Sequence, residues 1–220
     1  MGYYLDFSGD NKWLTLDEPI LLDDMSIFIE FIPKNTDSYQ SLLSSTGSRY
    51  PGTDFFNVFY RGDQNVTLFV GSANISSPNG SVPVDTFNVV EVRVSIIDSN
   101  YTRYDLYLNG DLIDGITSYN EIFSPTYTWY VGASYAERDW YNGYLARIYG
   151  DSFSLDMSDS MGSGTEILDS IGTNNAVQSG TGWPADDSEW VFYSSGPVTP
   201  INPSITNLLA TSARLNWEQG

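Results

Sequence analysis

The sequence predicts an all-β domain, and three of its features carry this prediction. Residues 89–97 alternate between apolar and polar side chains, as a half-buried strand does, with Val90, Val92, Val94 and Ile96 on one face. Residues 104–115 form two extended runs joined by Asn109 and Gly110, which both tolerate the positive φ of a type I′ hairpin turn. Aromatic residues make up 15% of the 220 residues, and aromatic side chains favour strands.

The other strands follow in chain order. Alternating or strongly apolar runs predict strands at residues 13–17, 25–32, 41–46, 55–60, 66–71, 128–133 and 140–149. Residues 74–83 are rich in Ser, Asn, Gly and Pro and predict a loop. Residues 151–193 are smaller and more polar, and we interpret them as an excursion that packs back onto the domain, with residues 190–193 as an edge strand.

Three segments together resemble a known family. Residues 104–113, with the sequence YDLYLNGDLI, are similar to the central hairpin of laminin-G-like domains in the concanavalin-A-like lectin/glucanase superfamily. Residues 4–16 resemble the opening hairpin of that family, and residues 140–149 resemble its closing strand. The resemblance implies a two-sheet antiparallel jelly-roll sandwich over residues 1–193. It implies no single function, because this fold hosts lectins, hydrolases and adhesive modules.

The C-terminal residues predict a second domain. Residues 194–203 form a Pro-rich, semi-rigid linker. Residues 204–220 resemble the first strands of a fibronectin type III domain, with Trp217 in the place of its core Trp. Such a domain needs about 100 residues. We therefore expect the chain to be the front part of a longer modular polypeptide.

The charge of the chain restricts its partners. Twenty-eight acidic and nine basic residues give a net charge of −19, which repels phosphate backbones and anionic lipid surfaces. Neutral glycans, cations, basic proteins and other chains of its own assembly remain as candidate partners. The N-terminus has no signal-peptide pattern and no run has transmembrane length, so we expect neither in the given chain.

Catalytic patterns are missing from the sequence. There is no His and no Cys, so Ser-His-Asp and Cys-His arrangements are excluded. The glucanases of the resembled superfamily carry paired acids in a Glu-x-Asp-x-Glu-like strand, and no predicted strand has that pattern. We therefore predict that the chain is not an enzyme.

Two loops contain the residues that a sugar site would use. A sugar site combines an aromatic ring with polar side chains that bind hydroxyl groups. In one loop these are Tyr50 and Asp54, and in the other Tyr135, Arg138, Asp139 and Trp140, with Tyr127 and Trp129 as weaker candidates on the concave sheet. The alternative is that Trp140 begins a core strand and that Arg138 and Asp139 form a solvated tip.

Two further motifs are open to a structural explanation. Relatives in the resembled family often hold a structural Ca²⁺, for which Asp10, Asn11 and Asp151 are the candidate ligands here. Turn formation explains these three residues equally well. Residues 61–63 spell Arg-Gly-Asp, the integrin-binding tripeptide, but a turn between strands accounts for them.

The leading functional hypothesis is therefore a non-catalytic recognition module for glycans or surface polysaccharides. It would belong to a surface protein of a bacterial virus, such as a fibre or capsid-decoration protein, on the virion or cell surface. The first alternative is a purely structural assembly protein that binds no sugar. The second is a secreted bacterial carbohydrate-binding module.

Overall fold

The computed structural model describes residues 2–9, 11–37, 39–45, 56–119, 127–134, 139–157 and 164–193. These residues form sixteen β-strands and no helix. Nothing in this part of the chain forms a helix with the length and apolar character that crossing a membrane requires. The predicted linker (194–203) and the fibronectin-like segment (204–220) lie outside the described residues.

Sheet A contains eight strands, and every pairing in it is antiparallel. In spatial order its strands are β10 (Asp111–Tyr119), β9 (Tyr101–Leu108), β8 (Asn88–Ile96), β3 (Met25–Pro33), β12 (Gly143–Gly150), β1 (Gly2–Asp6) and β16 (Trp190–Tyr193), with β13 (Ser154–Asp156) also paired to β12. The chain termini of the sandwich therefore meet in one sheet, at β1 and β16.

Sheet B also contains eight antiparallel strands. In spatial order they are β14 (Glu166–Ile167), β15 (Ala176–Ser179), β2 (Trp13–Leu16), β11 (Trp129–Val131), β4 (Tyr39–Ser45), β5 (Phe56–Arg61), β6 (Asn65–Val70) and β7 (Ala73–Ser76). The two sheets confirm the predicted all-β, two-sheet antiparallel sandwich.

The core lies between the sheets and takes alternate side chains from their strands. In β3, Ile27, Ile29 and Phe31 are fully buried, whereas the residues between them are only partly buried on the opposite face. In β5 of sheet B, Val58 and Tyr60 enter the same core. Burial of each such side chain stabilises the fold by about 1.5–3 kcal/mol, which lets the sandwich form without a disulfide.

The Asn-Gly hairpin forms as the sequence predicts. Asn109 has φ 53° and Gly110 has φ 91°, as a type I′ turn requires, and they join β9 to β10. The Asn109 side chain has a second role, because its Oδ1 accepts a hydrogen bond of 2.8 Å from the backbone N–H of Val89 in β8. The turn is thereby fixed to β8, the strand that precedes the hairpin.

Two local predictions differ from the structure. Ile96, predicted on the buried face with Val94, is 48% exposed because β8 ends there, where the chain turns towards β9. Residues 74–83 were expected to form a loop, but their first residues belong to β7. Ile75 of that strand pairs with Leu68 and packs into the core, which a count of polar residues does not reveal.

Residues 154–193 add strands to both sheets. β13 and β16 join sheet A, and β14 and β15 join sheet B, so this segment packs back on the sandwich as predicted. The segment 190–193 is an edge strand paired with β1.

One carboxylate fixes the loop between β14 and β15. Asp169 accepts backbone hydrogen bonds from Ser154 (2.8 Å), Ile171 (3.1 Å) and Gly172 (2.9 Å) on Oδ1, and from Asn174 (3.0 Å) on Oδ2. Burial acts to raise the pKa of Asp169, but these four N–H groups outweigh burial and lower that pKa below its ordinary value. The carboxylate therefore ties the loop to β13 in its ionised form.

Candidate functional site

The outer face of sheet B, which points away from the core, carries an unusual set of side chains along β5. Phe59 alternates with the core residues Val58 and Tyr60, and it lies outside the core cluster although only 6% of it is exposed. The neighbours of Phe59 on the same face of β5 are Asn57 and Arg61, two residues away on either side. We call Asn57, Phe59 and Arg61 the β5 outer row.

Aromatic rings cross this face from strand to strand. The rings of Tyr39 in β4 and Phe59 in β5 have centroids 5.5 Å apart at an interplanar angle of 79°. Phe59 and Phe69 in β6 follow at 5.6 Å and 90°. Edge-to-face contacts of this kind hold the rings in fixed positions. The β5 outer row is therefore set within a rigid aromatic surface.

Asn57 has a polar atom with no partner. Its residue is fully buried, and its Oδ1 accepts a hydrogen bond of 3.0 Å from Ser41 Oγ, but its Nδ2 has none. Exchanging the amide oxygen and nitrogen would only move the unpaired atom from one side to the other. An unsatisfied buried group costs about 1–3 kcal/mol. A buried polar group without a partner is uncommon in folded proteins, so Asn57 calls for an explanation.

Two of the residues predicted in the second loop adjoin this face. The backbone oxygen of Asp139 accepts a hydrogen bond of 2.7 Å from the N–H of Ser41, and its Oδ2 accepts one of 2.7 Å from Ser134 Oγ. Trp140 is half-buried, stands outside the core cluster, and has a shielded indole Nε1 without a partner. The structure thus brings Asp139 to Ser41, which in turn donates to Asn57, and Trp140 is the next residue along the chain.

The other predicted ligand-binding residues divide into two groups. Tyr50, Asp54, Tyr135 and Arg138 lie outside the described residues. Among the weaker candidates, Tyr127 is half-buried, whereas Trp129 points into the core, where 1% of it is exposed and its ring lies 5.3 Å from that of Phe56. The prediction of Trp129 as a surface candidate was wrong, because β11 directs that side chain between the sheets.

Sequence reasoning missed the β5 outer row. Its signal is present, since Phe56, Val58 and Tyr60 alternate with Asn57, Phe59 and Arg61. The Arg-Gly-Asp tripeptide drew attention to Arg61 for a different reason. In the structure its turn is packed in place, because a Cβ at Gly62 would come within 2.7 Å of the backbone oxygen of Thr36. Arg61 lies over the ring of Tyr39, with its Cζ 4.8 Å from the ring centroid.

The candidate metal ligands are not brought together. Asp10 lies outside the described residues. Asn11 follows β1 and contacts Thr181 through its amide, near the beginning of β12, whereas Asp151 follows the end of β12. Among the described residues, no group of three acidic, His or Cys side chains is placed to hold a metal ion. The calcium site that would include Asp10, Asn11 and Asp151 stays a prediction.

The acids on the outer face of sheet A are engaged by arginines. Salt bridges join Glu30 to Arg147 at 2.6 Å, Glu91 to Arg93 at 2.7 Å and Asp105 to Arg103 at 2.8 Å. Each acid lies on the same strand as its arginine or on the adjacent strand, so both charges are neutralised locally. This arrangement orients side chains and differs from the Glu-x-Asp-x-Glu pattern of the glucanases.

Comparisons with known proteins address the fold. No protein-family model matches the chain, and no curated protein matches it in sequence. A putative carbohydrate-binding protein from Bacteroides ovatus is similar in structure, with a TM-score of 0.61 and 10% identity over 81% of this chain and 58% of that chain. The SAP-like pentraxin of Limulus polyphemus has a TM-score of 0.50 and 15% identity, over 68% of this chain and 75% of that chain.

Domains LG4-5 of the mouse laminin α1 chain have a TM-score of 0.47 and 16% identity, over 71% of this chain and 42% of that chain. At identities of this size, similarity concerns the fold alone. The chain has the fold of a jelly-roll sandwich, as the resemblance implied.

Proposed function

We propose that the chain is a non-catalytic recognition module that binds a glycan on the outer face of sheet B. The more exposed rings of Tyr39 and Phe69, which pack on the buried ring of Phe59, would provide the apolar surface for a sugar, and Asn57 and Trp140 would donate hydrogen bonds to its oxygens. The similarity in fold to a putative carbohydrate-binding protein supports this proposal. The engagement of the sheet A acids by arginines supports the absence of catalysis.

The observation that carries the proposal is the unpaired amide of Asn57. Buried polar groups are almost always hydrogen-bonded, and Asn57 Nδ2 is not. The indole Nε1 of Trp140 is a second unpaired donor, in a residue whose neighbour Asp139 binds Ser41. Trp140 Nε1 is a donor, and so is Asn57 Nδ2 in the assigned orientation of the amide, so the two groups suit a ligand that presents acceptor oxygens, which are abundant on a saccharide.

A glycan-array screen of the full 220-residue chain, followed by calorimetry on the best ligand, tests this proposal. Asn57→Ala should weaken binding about tenfold, since it removes a buried hydrogen bond. Trp140→Phe should weaken binding less, because it removes only the indole N–H and keeps a ring. The matched controls are Asn100→Ala, in an exposed turn, and Trp183→Phe, whose indole already donates to Ser179 O at 2.5 Å.

The pattern of losses decides the matter. Binding that falls in Asn57→Ala and Trp140→Phe but not in the controls would support the site. Binding that is equally strong in all four variants would place the ligand elsewhere and overturn the assignment to sheet B. If the wild-type chain binds no glycan on the array, the proposal of glycan recognition is rejected.

The setting of the module is also a proposal. A lectin-like domain followed by a fibronectin-like segment is the organisation expected of a larger surface protein, such as a bacteriophage fibre or capsid-decoration protein. Sequencing the natural gene and locating its product by immunogold electron microscopy would test this placement. Label on purified virions would support it, and label confined to cells would contradict it.

One observation favours a second function, contact with other chains of an assembly. At the end of sheet A, Ile96 (48%), Ile97 (55%), Tyr101 (44%) and Tyr119 (65%) are all substantially exposed. Tyr101 and Tyr119 are paired across β9 and β10, with ring centroids 5.5 Å apart. Exposed apolar groups that cluster in this way are typical of protein contacts. Sedimentation of the full chain with and without Tyr119→Ser would show whether this cluster drives self-association.

A further inference from the structure

Arg61 differs from the other basic residues that the structure describes. Lys34, Arg93, Arg103 and Arg147 each form a salt bridge with an acidic residue, and Lys12 donates to the backbone oxygen of Asp6. Within the described residues, the guanidinium of Arg61 forms neither a salt bridge nor a hydrogen bond, and its Nε is shielded from solvent without a partner. This is unexpected in a chain with 28 acidic and nine basic residues.

The position of Arg61 is nevertheless well defined. It ends β5 opposite Tyr39, its backbone oxygen accepts a hydrogen bond of 2.8 Å from Gln64, and its guanidinium stacks on the Tyr39 ring. Stacking on a ring fixes the guanidinium plane and leaves its N–H groups for another acceptor. Two exposed acids lie nearby, Asp63 in the same turn and Asp37, whose backbone oxygen lies beside Gly62, but neither forms a salt bridge with Arg61. Within the part of the chain that the structure describes, Arg61 is thus held in place as a cation without a counter-ion.

The guanidinium chemistry indicates what it would bind. A guanidinium has five N–H donors and no acceptor, and its planar arrangement matches the two oxygens of a carboxylate or a sulfate. Arg61 and Asn57 are four residues apart on one face of β5, a distance of about 13 Å. A ligand that reaches both is therefore longer than one sugar ring, with an acidic group at one point and neutral oxygens at another.

We infer that the glycan bound on sheet B is an acidic oligosaccharide, whose carboxylate or sulfate group pairs with Arg61. This inference rests on the proposed function and names the class of its ligand. The net charge of −19 does not prevent such a contact, since charges farther away than about 8–10 Å are largely screened at physiological salt. A single guanidinium suits a sugar with isolated acidic groups, and it cannot neutralise the continuous charge of a nucleic acid.

The test uses the full chain and four sets of glycan probes. These are neutral oligosaccharides, uronic-acid oligosaccharides, the methyl esters of those uronic-acid oligosaccharides, and sulfated oligosaccharides. We expect binding to the uronic-acid or sulfated set, with little binding to the methyl esters. The difference between the uronic-acid and sulfated sets shows which acidic group is recognised.

Variants of Arg61 locate the contact. Arg61→Ala should lower the affinity for the acidic glycan about 10- to 100-fold, as expected for a lost charged hydrogen bond. Arg61→Lys should retain part of the affinity, because it keeps the charge but not the planar donors. Added salt should weaken binding of the wild type much more than binding of Arg61→Ala. The matched control is Arg103→Ala, an arginine already paired with Asp105 on sheet A.

Failure of this inference is distinct from failure of the proposed function. One outcome is that neutral glycans or methyl esters bind, that this binding depends on Asn57, and that it is unchanged in Arg61→Ala. That result would overturn the acidic-ligand inference and leave glycan binding on sheet B intact. An array on which no probe binds would reject both. Thermal melts of each variant should match the wild type, and a variant that is unfolded would be replaced in the test by Arg61→Gln.

Discussion

Asp169 provides a direct test of how the C-terminal strands are held. Asp169→Ala removes one carboxylate that accepts four backbone hydrogen bonds of 2.8–3.1 Å. Water can replace the bonds to Ile171 and Gly172, which are exposed, but less readily those to Ser154 and Asn174, which are partly or fully buried. Two such losses, reduced for the partial exposure of Asp169, correspond to roughly 2–4 kcal/mol of unfolding free energy.

The assay is urea and thermal unfolding of the full chain at several pH values. For a domain of this size, a loss of that magnitude lowers Tm by roughly 5–15 °C. Because folding lowers the pKa of Asp169 from its ordinary value of 3.8, its contribution is fully present above that value. The contribution is lost as pH falls through the lower pKa of the folded protein. Wild type and Asp169→Asn should therefore differ most above about pH 4 and converge in acid.

The control is Asp151→Asn, which changes an exposed acid that makes no hydrogen bond among the described residues. It should alter the unfolding free energy by less than about 0.5 kcal/mol. The explanation is refuted if Asp169→Ala is as mild as Asp151→Asn, or if the Asp169→Asn difference persists unchanged at low pH.

Three further predictions concern stability. Gly132→Ala should destabilise the fold by more than Gly80→Ala in urea unfolding: the φ angles are +80° and +77°, but only at Gly132 would a Cβ collide with the ring of Phe7. Equal losses of stability in the two variants would mean that the positive φ alone, and not the collision with Phe7, causes the destabilisation. Asn109→Ala should cost about 1–2 kcal/mol, since it strains the turn and removes the acceptor of Val89 N–H, and Asn109→Gly should cost less. An equal cost would show that the side-chain bond, and not the φ angle, dominates. Burial, and then Glu30, raises the pKa of Tyr149 to about 12, so stability should fall as pH rises from 10 to 12, and this fall should be shallower in Tyr149→Phe. An identical dependence of stability on pH between 10 and 12 in the wild type and Tyr149→Phe would contradict this explanation.

The sequence alone predicts the strands and turns whose local residue pattern agrees with their place in the fold. The Asn109-Gly110 turn formed as predicted because two residues with positive φ sit between two alternating strands. The alternation of β8 placed Val90, Val92 and Val94 in the core. It failed at Ile96, where the strand extends past the core, because periodicity records the face of a residue and not the end of the opposing sheet.

The candidate site was harder to predict, for a physical reason. The β5 outer row has the composition of an ordinary strand, and its significance depends on which neighbours leave Asn57 and Arg61 without partners. Pairing with β4 supplies Ser41 and Tyr39 to those residues, and this register is not encoded within β5 itself. Among the predicted loop residues, Asp139 contacts this face only because the chain returns past Ser41, a contact that spacing within the loop does not encode.

The two outer faces of the sandwich differ in how their polar groups are satisfied, and this difference is the reason that we propose a site on sheet B. On sheet A, three arginines each neutralise an acid, so a ligand would have to break an internal pair before gaining a contact. On sheet B, Asn57 and Arg61 hold donors without partners beside fixed aromatic rings. A ligand that meets these donors loses no internal hydrogen bond in exchange. The net gain from a bound acceptor is therefore larger on sheet B, although both faces carry aromatic and charged residues.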